Sequence, residues 1–150
     1  LWSRDPEFGH HEASKELGMA LMAYAPLGYG FLSGSIDRPE ALTTGDMRQR
    51  FPRFRADNFD ANRERVARLE ELAKAKGATA AQIALAWLLA RGNDVFPIPG
   101  CKTQLHLEED IAALKFNLDP ADFIDLEQVF PIGVASGARY PKQGMKGVDK

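Results

Sequence analysis

With a single cysteine, Cys101, the chain cannot form an internal disulfide. Packing alone must hold the fold, and a reducing, cytoplasmic setting is the simple reading. No apolar run approaches the roughly 20 residues needed to cross a bilayer, which sets a membrane-spanning role aside. Charge of one sign is lacking too. Lys and Arg number 19 against 21 Asp and Glu, a net charge of -2, and so weak a field attracts neither nucleic acid nor an anionic lipid surface. Any anionic ligand must therefore be held by local cations, and a small partner is expected. Histidines are few: His10 and His11 are adjacent and His106 lies far along the chain. That spacing matches no zinc site, so no metal ligands are assigned. The chain opens on Leu1-Trp2 with neither a methionine nor a basic-then-apolar stretch, the expectation for a sequence that begins in the middle of something longer.

What is present suits one soluble domain over residues 1–150, with 45% hydrophobic and 27% charged residues, enough for a real core. A short helix is predicted over Glu12 to Leu17, closed by Gly18 in a left-handed cap. The apolar run from Met19 to Tyr24 reads as a buried strand that Pro26 and the following glycines stop. A long connection from Gly34 to Asp57 has little periodicity, and loops of that length are usually functional. Val66, Leu69, Leu72 and Ala73 then mark one face of an amphipathic helix ended by Gly77. Thr79 and Gln82 form a capping box ahead of a helix, Ile83 to Ala90, that is apolar on every side. "DVFPIPG" reads as a second strand ending at Pro99-Gly100. Leu107, Ile111 and Leu114 trace the apolar face of the next helix, and Asp119 with Pro120 starts another that runs to about Val129. From Gly133 the tail is expected on the surface.

Strand, loop, helix, repeated, is the pattern of βα units around a parallel sheet. Only two strands are complete, with a possible remnant at Leu1-Trp2, while the helices would cover a larger sheet. Open parallel edges and an all-apolar helix need more partners than these. The expectation is that this sequence is about half of a larger α/β body.

Two loops then stand out, because both leave the carboxyl end of a strand, the rim where α/β barrels and doubly wound sheets bind ligands. Gly100 to Thr103 leads into a helix N-terminus, and Lys102 adds a full positive charge there. Its unpaired N–H groups and that charge suit a phosphate, though a plain turn with a solvated lysine fits the residues equally. Tyr24 ends its strand, placed either to stack on a flat heteroaromatic ring or to fill the core. Arg48, Arg50, Arg53 and Arg55 read either as a clamp over a diphosphate or as a solvated stretch. Glu109 and Asp110 are placed to accept from a base amino group or simply to favour their helix. Cys101, at a helix start with no histidine beside it, reads as a small residue tolerated by close packing. Trp2 and Trp87 read as core.

In order, "LWSRDPE", "AYAPLGYGFLSG", "RQRFPRF", "AQIALAWLLARG", "PIPGCKTQLHLEED" and "LDPADFIDL" resemble the carboxyl-terminal half of the aldo-keto reductases. The likeness is nearest to the auxin-induced-protein-like and potassium-channel β-subunit-like branches. It implies an α/β fold, the C-terminal half of a (β/α)8 TIM barrel, and an oxidoreductase that uses NADP(H) to reduce aldehydes and ketones. By the resemblance, Tyr24 stacks on the nicotinamide. Ala25, Pro26, Leu27 and Gly28 line the pyrophosphate, with Gly30 keeping that approach clear, and Arg48 belongs to the loop that folds over the cofactor. Gly100, Cys101, Lys102 and Thr103 match the 2′-phosphate loop, and His106, Glu109 and Asp110 fall where the family holds the adenosine. Asp110 stands where asparagine is usual, and Ser35 where some members carry lysine.

The family's catalytic aspartate, tyrosine, lysine and histidine come from the amino-terminal half, and none of their motifs is present. No catalytic residue is therefore assigned here, and these 150 residues alone are expected to be inactive without the missing half of the barrel. An alternative reading is an NADP-binding regulatory module with little turnover. The identity of the small-molecule carbonyl substrate and the oligomeric state are not encoded in these motifs.

Overall fold

The computed structural model describes residues 1–148; the tail expected from Gly133 onward therefore has its last two residues, Asp149 and Lys150, outside the described residues. Two four-residue strands, β1 (Leu21–Tyr24) and β2 (Val95–Ile98), pair in parallel, with Leu21 opposite Val95 and Tyr24 opposite Ile98. Between them run α2 (Ala56–Ala75) and α3 (Ala80–Leu89); α1 (His10–Glu16) precedes β1, while α4 (Gln104–Ala112) and α5 (Pro120–Val129) follow β2. The βα reading of the sequence thus holds. Leu1 and Trp2 are not strand: they are buried, and Trp2 meets Phe31 edge to face at 4.7 Å.

Helix boundaries follow local chemistry. The Thr79 hydroxyl accepts from the Gln82 amide while the Gln82 side chain accepts from the Thr79 amide, so α3 starts with the expected box. Asp119 does the same for α5 with Asp122, and Pro120 sits at the first helical position. Gly18 and Gly77 both take φ near +65°, ending α1 and α2 in the left-handed region where glycine is unhindered.

The core lies between α2, α3 and the turn after β1. Phe31 is fully buried and touches the rings of Trp2, Phe54 and Phe59 at 4.7 to 5.0 Å. Ile83 to Trp87 are all buried within α3, while Leu88 and Leu89 are half-buried and Ala90, the end of the expected all-apolar helix, is exposed. The long connection from Gly34 to Asp57 is ordered by its own hydrophobics. It threads single helical turns at Pro39–Ala41, Met47–Arg50 and Pro52–Phe54 and buries Ile36, Leu42, Phe51 and Phe54. At the amino end, buried Arg4 pairs with Glu7 and Glu127 and lies with Arg91 against the Trp87 ring, tying the first residues to α3 and α5.

The run ending at Tyr24 is read from the sequence as a buried strand, and that expectation fails for want of a covering layer. The apolar face of Leu107, Ile111 and Leu114 is exposed, the first two in α4 and Leu114 in the single turn after it. One face of the strand pair, formed by Met22, Tyr24, Phe96 and Ile98, is also exposed, with Met22 and Tyr24 each at 65%. Apolar residues on both faces of a parallel pair are the composition of a sheet covered on both sides.

Candidate functional site

Because β1 and β2 run parallel and in register, the segments leaving Tyr24 and Ile98 emerge at one end of the sheet. There the chain concentrates unusual backbone. Among the described residues, Ala25 (φ 48°) and Tyr29 (φ 60°) are the positive-φ residues other than glycine, and Gly28 and Gly30 alternate with them. A non-glycine residue in the left-handed region costs on the order of 1 kcal/mol, so neighbouring groups must hold this turn in place. Arg48 is one of them: its Nη1 donates to the Tyr29 carbonyl at 3.1 Å. A Cβ at Gly30 would sit 3.4 Å from that Nη1, and one at Gly28 would sit 3.0 Å from the Trp2 ring. The protein's own packing thus already accounts for glycine at both positions. Pro26 is buried and Leu27 packs against the core.

Arg48 is in turn fixed by Asp46, whose carboxylate accepts from the Arg48 backbone N–H at 2.9 Å and from Nε and Nη2 at 3.0 and 2.6 Å. Those bonds, side chain first, pull the Asp46 carboxyl down to about 2, and the positive charge of Lys102 adds to the effect. The Asp46 turn of the long connection thus lies near enough to Lys102, in the loop after β2, to feel its charge. Asp46 was invisible to motif reading; its only signal is an acid two residues ahead of an arginine in a Gly-containing turn.

On the β2 side, Gly100, Cys101, Lys102 and Thr103 are exposed, and the Thr103 hydroxyl caps α4 by accepting from the His106 amide at 3.2 Å. Gly100 has ordinary backbone, and a Cβ there would meet nothing within 4 Å, so open space lies beside the first turn of α4. Lys102 makes no ion pair among the described residues. The His106 side chain is exposed; Glu109 is half-buried, and its carbonyl accepts from Gln82 Nε2 at 3.2 Å. Cys101 is exposed rather than closely packed, and its thiol donates to the Asp110 carboxylate at 2.9 Å. That acid, a carboxylate where the family resemblance expects an amide, pushes the thiol up instead of down. Ser35 bonds only locally, to Ser33 Oγ at 2.8 Å.

Of the four arginines in "RQRFPRFR", Arg48 and Arg53 turn inward and Arg50 and Arg55 stay exposed. Arg53 donates to Ser3 Oγ at 2.8 Å and to the Gly137 carbonyl, and lies over the Trp2 ring. It lines a cavity of about 160 Å³ together with Tyr24, Tyr29, Phe51, Arg139 and Tyr140. The Tyr24 and Tyr29 hydroxyls are 3.4 Å apart. Burial first, and the Tyr24 and Tyr140 hydroxyls next, push the Tyr29 phenol well above its ordinary value, the wrong direction for a proton donor. No cluster of three or more His, Cys, Asp and Glu suited to a metal occurs among the described residues, and no described helix is long and apolar enough to cross a membrane.

The sequence pattern described as Aldo/keto reductase family matches residues 1–130. Over 136 residues the chain is 41% identical to an aldo-keto reductase of Schizosaccharomyces pombe whose name specifies NADP(+), covering 91% of this chain and 40% of that protein. Over 140 residues it is 41% identical to a probable aldo-keto reductase of Glycine max, covering 93% and 40%. The chain spans about two fifths of the length of these curated relatives. Among solved structures, a glycerol dehydrogenase from Gluconobacter oxydans superposes with a TM-score of 0.70 over 77% of this chain and 35% of its own, at 21% identity, a likeness of fold alone. A thermostable aldo-keto reductase solved with the inhibitor epalrestat gives 0.56 at 30% identity, over 85% of this chain and 36% of its own.

Proposed function

The chain belongs to the aldo/keto reductase family, and from that premise we propose that it is the cofactor-holding, C-terminal part of a (β/α)8 barrel that reduces aldehydes and ketones with NADP(H). The observation that carries this reading is the register of the strand pair. Tyr24 opposite Ile98 delivers the strained Ala25–Gly30 turn and the Gly100–Thr103 loop to one rim, with Arg48 and Lys102 beside them.

The residues suit a phosphorylated dinucleotide. Lys102 is exposed and unpaired among the described residues, and open space lies next to the capped N-terminus of a nine-residue helix. In our reading Lys102, Thr103 and the amides from Gly100 onward hold the 2′-phosphate. Ala25, Pro26, Leu27, Gly28 and Gly30 follow the pyrophosphate, Tyr24 offers its exposed ring to the nicotinamide, and His106, Glu109 and Asp110 border the adenosine. Arg48 holds the turn in shape through the Tyr29 carbonyl. When bound, the reduced nicotinamide supplies the hydride for carbonyl reduction. The acid that protonates the carbonyl oxygen is assigned to none of these residues, which agrees with the raised Tyr29 phenol. The uncovered face of Met22, Tyr24, Phe96 and Ile98 is the barrel interior in this account, closed by strands outside this chain.

The test compares the intact protein with residues 1–150 alone, each mixed with NADPH and para-nitrobenzaldehyde, following oxidation of the nicotinamide. We expect turnover by the intact protein and none by residues 1–150. Turnover by the shorter chain contradicts the division of roles, and tight NADPH binding by the intact protein without turnover on any carbonyl favours a regulatory module instead.

A further inference from the structure

The cavity over Tyr24 carries charge of one sign. Its lining includes the rings of Trp2, Tyr24, Tyr29, Phe51 and Tyr140 and borders Ala25, Pro26 and Gly28 of the turn after β1, and its charged lining residues are two arginines, Arg53 and Arg139, with no carboxylate among the described lining. Arg53 has no acidic partner within ion-pair distance among the described residues; it bonds to a hydroxyl and a carbonyl and stacks 5.5 Å from the Trp2 ring. Burial, with Arg139 next in weight, lowers it to about 10. Arg139 pairs with Asp5, an exposed residue that does not line the cavity. Two guanidiniums and one outlying carboxylate leave the cavity positive.

The arginine at its mouth is also held in place. Asn62, 1% exposed, donates to the Ser136 carbonyl at 2.9 Å and accepts from the Ser136 amide at 2.8 Å, pinning the tail to α2. Gly137 follows with φ 85°, where a Cβ would press on the Pro52 and Arg53 backbone at 3.0 and 3.1 Å. The tail side of both anchors, Ser136 and Gly137, lies beyond residue 130, outside the stretch that the family pattern matches. Flat aromatic walls accept a planar body, and a guanidinium fork accepts a carboxylate in two parallel hydrogen bonds.

We propose that this cavity receives the far end of the substrate and selects carbonyl compounds with a planar body and a carboxylate, with Arg53 and Arg139 as specificity-determining residues. The proposal rests on reading the chain as part of a carbonyl reductase with Tyr24 at the nicotinamide. Its chemistry, an anion held by guanidinium, is shared with the cofactor's own diphosphate, so the test must separate the two.

The intact protein is assayed with NADPH on para-carboxybenzaldehyde and on its methyl ester, as wild type, Arg139→Gln and Asp5→Asn. We expect the wild type to favour the acid by on the order of tenfold in kcat/KM, carried by KM, the size of one charge-assisted hydrogen bond. Arg139→Gln should bring acid and ester close to parity, the larger loss falling on the acid. Asp5→Asn should keep the preference, which a purely structural Arg139–Asp5 pair would not. Equal use of acid and ester by the wild type, or a preference that survives Arg139→Gln, overturns the proposal while leaving the reductase reading intact. A comparable loss of NADPH affinity in Arg139→Gln assigns the charge to the cofactor and also overturns it. If neither aldehyde is reduced, the reductase reading is judged by para-nitrobenzaldehyde as above, and benzoate titration followed by tryptophan fluorescence decides the site: binding that Arg139→Gln abolishes supports it, and no binding overturns it.

Discussion

At the scale of single residues, Asp46 connects charge to loop shape. Its carboxylate takes three hydrogen bonds from Arg48, which reaches the carbonyl of the strained Tyr29. The folded state therefore holds Asp46 near 2, below the ordinary carboxylate value of about 4. A group depressed on folding contributes stability that is complete above its unfolded value and lost as pH falls through the folded one. The unfolding free energies of wild type and Asp46→Asn should therefore differ by a constant amount above about pH 4 and converge toward pH 2. Denaturant melts across that range check it; a gap independent of pH would show that the carboxylate charge is not what anchors the connection. Cys101 illustrates the opposite sense, a thiol at a helix start that the neighbouring Asp110 carboxylate pushes up.

Among elements, α2 does more than its apolar stripe suggests. Asn62 sits in the buried face of the helix and satisfies the Arg53 carbonyl and both backbone groups of Ser136. Asn62→Ala strips partners from several buried groups at once and should lower stability by about 3 kcal/mol. The same change should expose the tail after Gly133 to proteolysis, and a melt shifted by less than a degree would contradict this account. Motif reading located α3 and α5 well because the Thr79–Gln82 and Asp119–Asp122 boxes are local chemistry, closed within four residues. It also placed both strands and the two loops that share a rim, since proline and glycine punctuate them. It could not see Asn62, Asp46 or Arg139, whose partners are set by tertiary contact or by a turn without a motif. Leu107, Ile111 and Leu114 followed the right period for a buried face, yet period shows which side is apolar, not what covers it.

For the molecule as a whole, the chain spans two fifths of the length of these relatives and leaves one face of the strand pair and the apolar stripe of α4 exposed. The core around Phe31 is nevertheless complete, and it holds the Ala25–Gly30 turn and the tail against α2. In this account the chain's part in the reaction is to grip a phosphorylated dinucleotide at the rim, and the choice of NADP(H) over its unphosphorylated form depends on Lys102. Titration calorimetry of the intact protein with NADPH and NADH, before and after Lys102→Ala, tests this most directly. The account predicts that the substitution weakens NADPH by about tenfold or more and leaves NADH unchanged. Equal affinity for the two cofactors in both proteins would contradict it.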